Sequence, residues 1–598
     1  MTRMIFSCLI DADRIDSADS EHPENVLLRS SEAPDWLRIV DRLETKLSEF
    51  SASTRIDHIR REVSENCRKR AMDAKGLFTL TVPTGGGKTL SGLRFALHHA
   101  ARYAMDRIIH VIPYTSIIDQ NARVARNILE KGSPFGSIVL EHHSNLEPEK
   151  ETPRTRLAAE CWDAPVIFTT MVQFLESLFR GGTRSVRRMH RLANTVILFD
   201  EIQTLPVECV HLFCNAVNFL IRECGSSVVL CTATQPLLNR VDTNLGALVL
   251  DPEREIAPDK ERLFQELKRV DVQDQTRPGG WGQEEIADLA VSELQRVGSC
   301  LLVVNTKEWA RRLFEEFGRR GVEGRYHLST GMCPAHRIQL LEEIHGRLER
   351  EPVLCVSTQL IEAGVDISFG SVVRFLAGLD SIVQAAGRCN RNGEKQIGIV
   401  QVVNPADENL RNLRAIRIGR DVSARVISEC SGSLLHPSAM ERYFTYSFFQ
   451  RNQEMAYPVN RDEAGRNDTL LDMLSCNPRN PGTMPFQLSL RQSFAAAGEL
   501  FKVIDAPTQG VIVPYRDGKQ IIAGLCGIFD PKQQGPLLKR AQRYSVNVFP
   551  YELNQLQEAN AVHETQKGSG VLYLDARYYS VGFGLSMSVV NPLEPLIC

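Results

Sequence analysis

Short apolar runs alternate with longer segments of helical periodicity between Leu77 and Pro405. The first series reads LFTLTV, IIHVIP, APVIFTT, TVILFDE and SSVVLCTAT. A second series follows a polar stretch rich in charge, Pro and Gly, and reads SCLLVVNTK, GRYHLST, PVLCVSTQL, SVVRFLA and IGIVQVVNP. Such alternation is typical of parallel strands that are covered by helices on both faces. It predicts an α/β protein with two consecutive parallel-sheet halves of similar size.

The pattern changes after Pro405, first to a helical segment and then to a region of short strands. These short strands include GVIVPY, IIAGLCGI and VLYLDARYYSVGFGLS, which Pro and Gly separate. A chain of 598 residues is also too long for one hydrophobic core. We therefore expect a smaller, mixed accessory domain at the C-terminal end.

Composition narrows the class of protein without identifying a partner. The hydrophobic fraction of 43% and the charged fraction of 24% are those of an ordinary globular protein, and the net charge is −3. A nucleic-acid channel remains compatible with that charge, because it needs only a local excess of basic residues. None of the fifteen Cys forms a CxxC pair, which argues against a zinc knuckle. No apolar run reaches about 18 residues, so we expect a cytoplasmic protein without a membrane partner.

The segment TLTVPTGGGKTLSG carries the strongest chemical signal in the sequence. An apolar run, a glycine turn and a helical pattern follow one another, as a phosphate-binding loop requires. Three consecutive glycines let backbone N–H groups approach phosphate oxygens, while Lys88 supplies a charge and Thr89 is placed to bind Mg²⁺. The strict GxxxxGK[ST] pattern is not met, because Val82 takes the place of its first glycine. The segment predicts ATP and Mg²⁺ as cofactors.

Two adjacent carboxylates, Asp200 and Glu201, follow the apolar run VILF. This position predicts that both lie at the carboxyl end of a buried strand, where open α/β sheets bind their ligands. There Asp200 could hold Mg²⁺ through water, and Glu201 could orient and deprotonate the attacking water.

The second half contains STQLIEAGVDISF and, after it, DSIVQAAGRCNRNGE. The spacing of Gln384, Gly387, Arg388 and Arg391 is helical, so we expect these residues to share one helix face. An arginine there could act as a finger on the γ-phosphate of a nucleotide bound to the other half.

Together these segments resemble superfamily 2 helicases, whose fold comprises two RecA-like domains. The strings VIPYTSIIDQNA, LEHHSN, CWDAPVIFTTMVQFLESLF, DEIQTLP, CTATQP, HLSTGMCPAHR and IVQAAGRCNRNGE narrow the resemblance to the CRISPR-associated helicase-nucleases of type I interference, most of all to the type I-C branch. That family implies ATP-dependent movement, 3′ to 5′, on the displaced single-stranded DNA of an R-loop. The implied partner is the crRNA-guided, Cascade-type surveillance complex that forms the R-loop.

The resemblance assigns residues to the nucleotide and to the DNA. The residues matched to nucleotide binding and hydrolysis are Thr84, Gly85, Gly86, Gly87, Lys88, Thr89, Asp200, Glu201, Gln203, Gly364, Asp366, Gln384, Arg388 and Arg391. Thr232, Ala233 and Thr234 match the motif that couples the nucleotide state to the grip on the strand. Those matched to contacts with the DNA strand are Pro113, Tyr114, Thr115, Ser116, Thr169, Thr170, Ser357, Thr358 and Gln359. Hydroxyls and backbone amides suit phosphate contacts without base readout, as a motor on any sequence requires.

The family normally carries an HD nuclease domain ahead of the helicase, and the N-terminus here resembles only the closing helix of that domain. Asp11 and Asp13 are its two candidate ligands, and only His22 and His58 precede the phosphate loop. Two carboxylates alone cannot build a two-metal site. We therefore expect no nuclease in this chain, with a separate HD polypeptide as a possible partner.

The predicted domains follow from these assignments. They are the nuclease remnant (1–30), the first RecA-like domain with leading helices (31–255), the second RecA-like domain (256–405), a helical linker (406–465) and the C-terminal accessory domain (466–598).

Two other functions stay open at this point. One is a general superfamily 2 DNA or RNA helicase, and the other is a nucleotide-gated subunit that occupies the surveillance complex without cutting. The paired histidines, His98–His99 and His142–His143, favour packing or surface roles over metal binding. The aromatic residues Tyr114, Phe174, Tyr443 and Phe444 could stack on bases, but core packing is the favoured role for most of them.

Overall fold

The computed structural model describes residues 1–29, 33–113, 115–143, 152–362, 366–393, 395–430, 432–479, 491–503 and 508–591. Tyr114 and Gly364, which the sequence analysis assigned to DNA and nucleotide binding, lie outside these ranges, as do the side chains of Thr115 and Ser116. The described residues form two compact units. The first unit comprises 1–143, 152–267 and 440–503, and the second comprises 268–439 and 508–591.

The first unit is built on a six-stranded parallel sheet. Its strands are β1 (Leu77–Thr81), β2 (Arg107–Ile112), β3 (Val139–His142), β4 (Val166–Thr170), β5 (Thr195–Asp200) and β6 (Ser227–Thr232). They are ordered β1-β6-β5-β2-β4-β3. Successive residues of β5 alternate between two apolar cores, because side chains of a strand point to opposite faces. The apolar runs of the sequence are therefore strands buried on both sides.

Helices cover both faces of this sheet. They are α1 (Thr2–Glu21), α2 (Asn25–Leu28), α3 (Trp36–Ser48), α4 (Arg55–Arg70), α5 (Lys88–Tyr103), α6 (Thr115–Leu129), α7 (Pro153–Cys161), α8 (Met171–Phe179), α9 (Thr183–Val186), α10 (Val210–Arg222) and α11 (Lys260–Glu266). Short 3₁₀ turns lie at Met189–Leu192, Ile202–Thr204, Val207–Cys209 and Pro252–Arg254.

The second unit repeats the same sheet. Its strands are β7 (Val270–Asp274), β8 (Ser299–Val303), β9 (Arg325–Leu328), β10 (Val353–Ser357), β11 (Ser371–Phe375) and β12 (Gly398–Val403). Their order, β7-β12-β11-β8-β10-β9, matches that of the first sheet strand for strand, and all pairings are parallel. The helices of this part are α12 (Gln283–Val297), α13 (Lys307–Arg319), α14 (Pro334–Leu348), α15 (Leu379–Ala386) and α16 (Arg414–Glu429), with a 3₁₀ turn at Gln359–Ile361.

Residues 440–503 return to the first unit. The elements from this part of the chain are α17 (Pro437–Arg451), β13 (Pro458–Val459), α18 (Arg461–Ala464), β14 (Asp468–Thr469), α19 (Leu470–Leu474) and α20 (Phe494–Leu500), with a 3₁₀ turn at Asn452–Glu454. Met455 and Phe501 join the apolar core on one face of the first sheet. Arg451 also pairs with Glu208 at 2.8 Å. The sequence did not predict this return.

The C-terminal part of the second unit is small and mixed. Its elements are β15 (Gln509–Ile512), α21 (Gly518–Gly527), α22 (Pro531–Ala541), β16 (Ser545–Val548), α23 (Pro550–Glu558), β17 (Val562–Glu564), β18 (Leu572–Leu574), β19 (Tyr579–Ser580) and β20 (Gly584–Leu585), with 3₁₀ turns at Gln542–Tyr544 and Ala576–Tyr578. Four of the strands form a sheet with both parallel and antiparallel pairs. The predicted fold class is confirmed: two tandem RecA-like sheets and a smaller mixed C-terminal domain. Within the described ranges, no helix combines the length and apolar character that crossing a membrane needs.

Candidate nucleotide-binding site

The phosphate-binding loop joins β1 to α5, as the sequence predicts. Gly87 caps α5 with a left-handed φ of 83°, a conformation that an L side chain adopts at a cost. A Cβ on Gly86 would lie 2.4 Å from Val82 Cγ1, so the loop fits closely over this buried valine. Val82, which stands where the strict pattern has its first glycine, therefore packs beneath the loop. The first N–H groups of α5 form the positive end of the helix dipole, which attracts phosphate.

Lys88 and Glu201 form an ion pair at this end of the sheet, with 2.9 Å between Nζ and Oε1. Burial lowers the pKa of Lys88, but the charges of Glu201 and Asp200 outweigh burial and raise that pKa above its usual value. Burial, together with the charge of Glu201, raises the pKa of Asp200 to about 6. Lys88 at the start of α5 and the two carboxylates at the end of β5 thus form one cluster of interacting charges.

A chain of polar contacts connects this cluster to the end of β6. Glu201 adopts a left-handed backbone conformation, with a φ of 51°, in which its side chain accepts a hydrogen bond from the Gln203 amide. Gln203 Oε1 in turn accepts a hydrogen bond from the Thr232 hydroxyl, and Thr232 Oγ1 accepts one from the Thr234 backbone N–H at 2.9 Å. A displacement of Glu201 can therefore reach the loop after β6.

The residues present fit a nucleotide triphosphate with Mg²⁺. The loop offers backbone N–H groups and Lys88, which suit phosphate oxygens, and Thr89 lies in the first turn of α5. Asp200 offers a carboxylate whose ionised form is disfavoured by burial, and a divalent cation would compensate for that cost. When bound, Mg²⁺ would supply positive charge to the phosphate oxygens.

Two residues that the sequence analysis missed support the loop. Arg60 of α4 donates a hydrogen bond from Nε to the Gly85 carbonyl at 2.9 Å. Glu255 accepts hydrogen bonds from the Thr81 backbone N–H at 2.9 Å and from its hydroxyl at 2.7 Å, and thereby holds the end of β1. Neither residue belongs to a recognisable pattern in the sequence, because each acts through a contact with a distant segment.

The predicted arginine helix is wrong in one respect. Helix α15 contains Gln384 but ends at Ala386, so Gly387, Arg388 and Arg391 do not continue its face. The Phe369 N–H donates to the Arg388 carbonyl at 2.8 Å and draws the chain out of the helix.

Both arginines have partners within their own unit. Arg388 is buried, and it donates hydrogen bonds to the carbonyls of Ile361 at 2.9 Å and Glu362 at 2.8 Å. Arg391 pairs with Asp366 at 2.8 Å. These contacts place both predicted finger residues and Asp366 beside the segment that follows β10.

Several of the predicted DNA-contact residues within the described ranges lie at strand ends, and some of their hydroxyls have protein partners. Thr169 donates to the His142 carbonyl at 3.0 Å, and Thr170 caps α8 by accepting a hydrogen bond from the Gln173 N–H. Ser357 ends β10 and donates to the Thr358 carbonyl at 2.8 Å. Gln359 begins the next 3₁₀ turn, and Pro113 lies two residues before the start of α6. Their roles toward DNA stay predictions.

The histidines and aromatic residues assigned to packing have packing contacts. His98 pairs with Glu44, and His99 hydrogen-bonds the Ala71 carbonyl. His142 accepts a hydrogen bond from the Trp162 indole N–H. Asp119, Glu141 and His143 are the cluster of three possible metal ligands found in the described ranges, but Arg126 already donates to Glu141. The aromatic residues buried as predicted are Phe174, Tyr443 and Phe444.

Two family patterns match the chain. Residues 61–242 match the DEAD/DEAH box helicase pattern, and residues 296–394 match the C-terminal pattern of CRISPR-associated nuclease/helicase Cas3. The Cas3 nuclease/helicase of Haloferax volcanii is 27% identical over 491 residues, which cover 62% of this chain and 52% of the relative. That of Methanothermobacter thermautotrophicus is 26% identical over 330 residues, which cover 52% of this chain and 38% of the relative. The chain therefore spans about half the length of the curated relatives it matches, or less.

Solved structures share the fold. The crystal structure of T. fusca Cas3 with AMPPNP has a TM-score of 0.60 at 15% identity, and the match covers 85% of this chain and 67% of that chain. A chain of a CRISPR RNA-guided surveillance complex in a pre-nicking state has a TM-score of 0.52 at 14% identity, covering 84% and 65%.

Proposed function

This chain is a superfamily 2 helicase of the CRISPR-associated Cas3 family, and on that premise we propose that it hydrolyses ATP to move along single-stranded DNA. The prediction of a CRISPR-associated superfamily 2 helicase is confirmed by the two matched patterns. The observation that carries the proposed activity is the cluster of Lys88, Asp200 and Glu201 beside the phosphate-binding loop.

In the proposed reaction, Lys88 and the N–H groups of α5 hold the phosphates, while Thr89 and Asp200 hold Mg²⁺. Glu201 exchanges its ion pair with Lys88 for the attacking water and accepts its proton. The Gln203 and Thr232 contacts then transmit the new position of Glu201 to the loop after β6. This coupling is what converts hydrolysis into a change of grip on the strand.

The proposed substrate is the displaced DNA strand of an R-loop, followed from 3′ to 5′. A structural neighbour in a surveillance complex supports a partnership with a crRNA-guided, Cascade-type complex. A strand-displacement assay with duplexes that carry a 3′ or a 5′ single-stranded tail tests the DNA substrate and the direction of movement. We expect ATP-dependent unwinding from the 3′ tail only. Stimulation of the ATPase by single-stranded RNA but not DNA would favour the general helicase instead.

We also propose that this chain cuts no DNA by itself. Asp11 is buried and pairs with Arg187 at 2.9 Å, so its carboxylate already neutralises a cation. Asp13 lies two residues further along α1, and residues two apart on a helix do not face each other. Neither aspartate belongs to the three-ligand cluster found in the described ranges. Incubation with ATP and Mg²⁺, Mn²⁺, Ni²⁺ or Co²⁺ should leave single-stranded DNA intact, whereas degradation lost in Asp11→Ala but kept in Lys88→Ala would contradict this proposal.

We propose that a separate HD nuclease chain binds the exposed apolar face of α1. Met1, Ile5 and Leu9 are 67%, 62% and 65% exposed and follow one another at helical spacing. An apolar helix face of this kind usually lies against another surface. Ile5→Asp should weaken co-sedimentation with an HD protein from the same locus, while the control Leu37→Asp, at an exposed site on α3, should not. Equal binding by both variants would remove this surface from the proposal.

A further inference from the structure

A buried arginine lies in the middle of the second sheet. Arg374 belongs to β11, between Val373 and Phe375, and its side chain is 0% exposed. A guanidinium remains charged at every physiological pH, so its burial is costly unless charge and hydrogen bonds compensate. Its partners therefore show what the charge is used for.

The guanidinium of Arg374 contacts three separate segments. Its Nε lies 2.8 Å from Glu362 Oε1. Nη1 donates hydrogen bonds to Asn305 Oδ1 at 2.7 Å and to the Phe375 carbonyl at 2.8 Å, and Nη2 donates to Ser381 Oγ at 2.8 Å. Asn305 follows β8, Glu362 follows the strand end of β10, and Ser381 lies in α15. One planar group thus connects two loops and helix α15 at the carboxyl edge of the sheet.

Glu362 also connects Arg374 to Arg388. Ser381 Oγ donates to the second carboxylate oxygen of Glu362 at 2.6 Å, which closes a ring of three side chains. The backbone carbonyl of Glu362 accepts the hydrogen bond from Arg388 at 2.8 Å. Arg374 therefore binds the side chain of Glu362, and the main-chain carbonyl of Glu362 binds Arg388.

Stability alone does not account for this arrangement. A buried ion pair contributes little net stability, because desolvation of both charges offsets their attraction, and apolar residues of similar size often replace such pairs without loss. What a fork of directed hydrogen bonds provides beyond apolar packing is a defined geometry. The geometry defined here is that of the segment after β10 relative to α15.

We propose that Arg374 is a positioning residue for ATP hydrolysis, which fixes Glu362 and Ser381 and thereby sets the place of Arg388. This inference rests on the proposed ATPase function. Because Arg374 acts through Glu362 on Arg388, which is assigned to the transition state, its loss lowers kcat and leaves the binding of ATP to the phosphate loop unchanged.

The first test is Ser381→Ala, which opens the ring but keeps the ion pair. Its control is Ser371→Ala, because Ser371 of β11 has a buried hydroxyl that donates to the Ser299 carbonyl at 3.3 Å, outside the ring. We expect kcat to fall about tenfold for Ser381→Ala with the KM for ATP unchanged, and no change for the control. Equal kcat for the wild type and Ser381→Ala, at equal folded fraction, would overturn the proposal.

The second test separates positioning from stability. Arg374→Lys keeps the charge but loses the fork, and the double variant Arg374→Met/Glu362→Met replaces the pair by apolar side chains. We expect both to lose about 10²-fold in kcat, while the double variant melts within about 4 °C of the wild type. A double variant with wild-type kcat would overturn the proposal, even if Arg374→Lys fails to fold.

A third measurement does not depend on ATP hydrolysis. Hydrogen exchange of the segment from Thr358 to Glu362 should become faster in Arg374→Lys and in Ser381→Ala than in the wild type and Ser371→Ala. If the wild type shows no ATPase activity, the proposed function fails. Unchanged exchange in the variants would instead contradict the positioning role.

Discussion

The two six-stranded sheets share one strand order and differ in the chemistry at corresponding edges. In the first sheet, strand β5 is apolar from Val196 to Phe199 and ends at Asp200, which Glu201 follows. The strand in the same place of the second sheet, β11, carries Arg374 as its last residue but one. The first sheet ends in a glycine loop and carboxylates that suit a ligand, whereas the second ends in a ring of side chains that bind one another. A shared topology therefore leaves the chemistry of each half to a few strand-end residues.

The pKa shifts agree with this contrast. Burial raises the pKa of both Asp200 and Glu362 to about 6. Glu362 is paired directly with Arg374 and hydrogen-bonded by Ser381, so its charge is used within the protein. Asp200 has Glu201 beside it, which adds like charge. The first site can therefore accept an added cation, whereas in the second site the charge of Glu362 is already neutralised by Arg374.

The largest expected effect comes from removing the ligand chemistry of the first unit. Lys88→Ala and Glu201→Gln should each lower the DNA-stimulated ATPase rate by about 10²- to 10³-fold, because each removes a group that acts on the phosphates or the attacking water. The matched control is Glu208→Gln, whose carboxylate pairs with Arg451 in the same unit. Wild-type turnover in either variant would show that the reaction does not use this cluster.

A slightly smaller effect is expected from the second unit. Arg388→Ala should lower kcat by about 10²-fold with little change in the KM for ATP, because a finger acts on charge that develops in the transition state. Arg319→Ala, at an exposed position on α13, serves as the control. A loss of ATP affinity that accounts for the whole loss of rate would assign Arg388 to ground-state binding.

The close fit of the glycine loop predicts a moderate effect that a second substitution partly reverses. Gly86→Ala adds a methyl group 2.4 Å from Val82 Cγ1 and should raise the KM for ATP about tenfold by displacing the loop. Val82→Ala removes that contact, so the double variant should bind ATP better than Gly86→Ala alone. Additive losses in this double-mutant cycle, measured by nucleotide titration, would argue against the contact.

The smallest expected effect concerns the stability of the first unit and not ATP hydrolysis. His143 pairs with Asp119 of α6 at 2.9 Å and lies 3.9 Å from Glu141 of β3; Arg126 is also paired to Glu141, and His142 is adjacent. Although burial opposes it, these carboxylates raise the pKa of His143 to about 9.

The sign of the pH dependence follows from that raised pKa. The stabilisation is fully present below the unfolded pKa of about 6.5 and is lost as pH rises to about 9, which amounts to about 1 to 2 kcal/mol in the free energy of unfolding because Asp119 is partly screened by solvent. Chemical denaturation across this pH range should show the loss in the wild type but not in His143→Gln. His22→Gln, at an exposed site, should behave like the wild type. The same pH dependence in His143→Gln would assign it to another group.

Features whose causes are local could be predicted from the sequence. The phosphate-binding loop was predictable because strand, glycine turn and helix lie within about 20 residues, and each has its own residue preferences. Asp200 and Glu201 were predictable because an apolar run must be buried and its end must reach the sheet edge. The two series of such runs likewise predicted two parallel sheets.

Features that depend on distant partners could be found only in the folded protein. Helix α15 ends at Ala386 because Phe369 hydrogen-bonds the chain just beyond it, and no local residue preference reveals that contact. Residues 440–503 join the first unit because Met455 and Phe501 fill its apolar core, although the preceding chain belongs to the second. Arg374 is the charged residue within the predicted strand SVVRFLA, and its burial is tolerated only because Glu362, Asn305 and Ser381 converge on it. Burial and pairing are properties of the assembled sheet, so the chemistry of the second unit was settled by folding and not by any single segment.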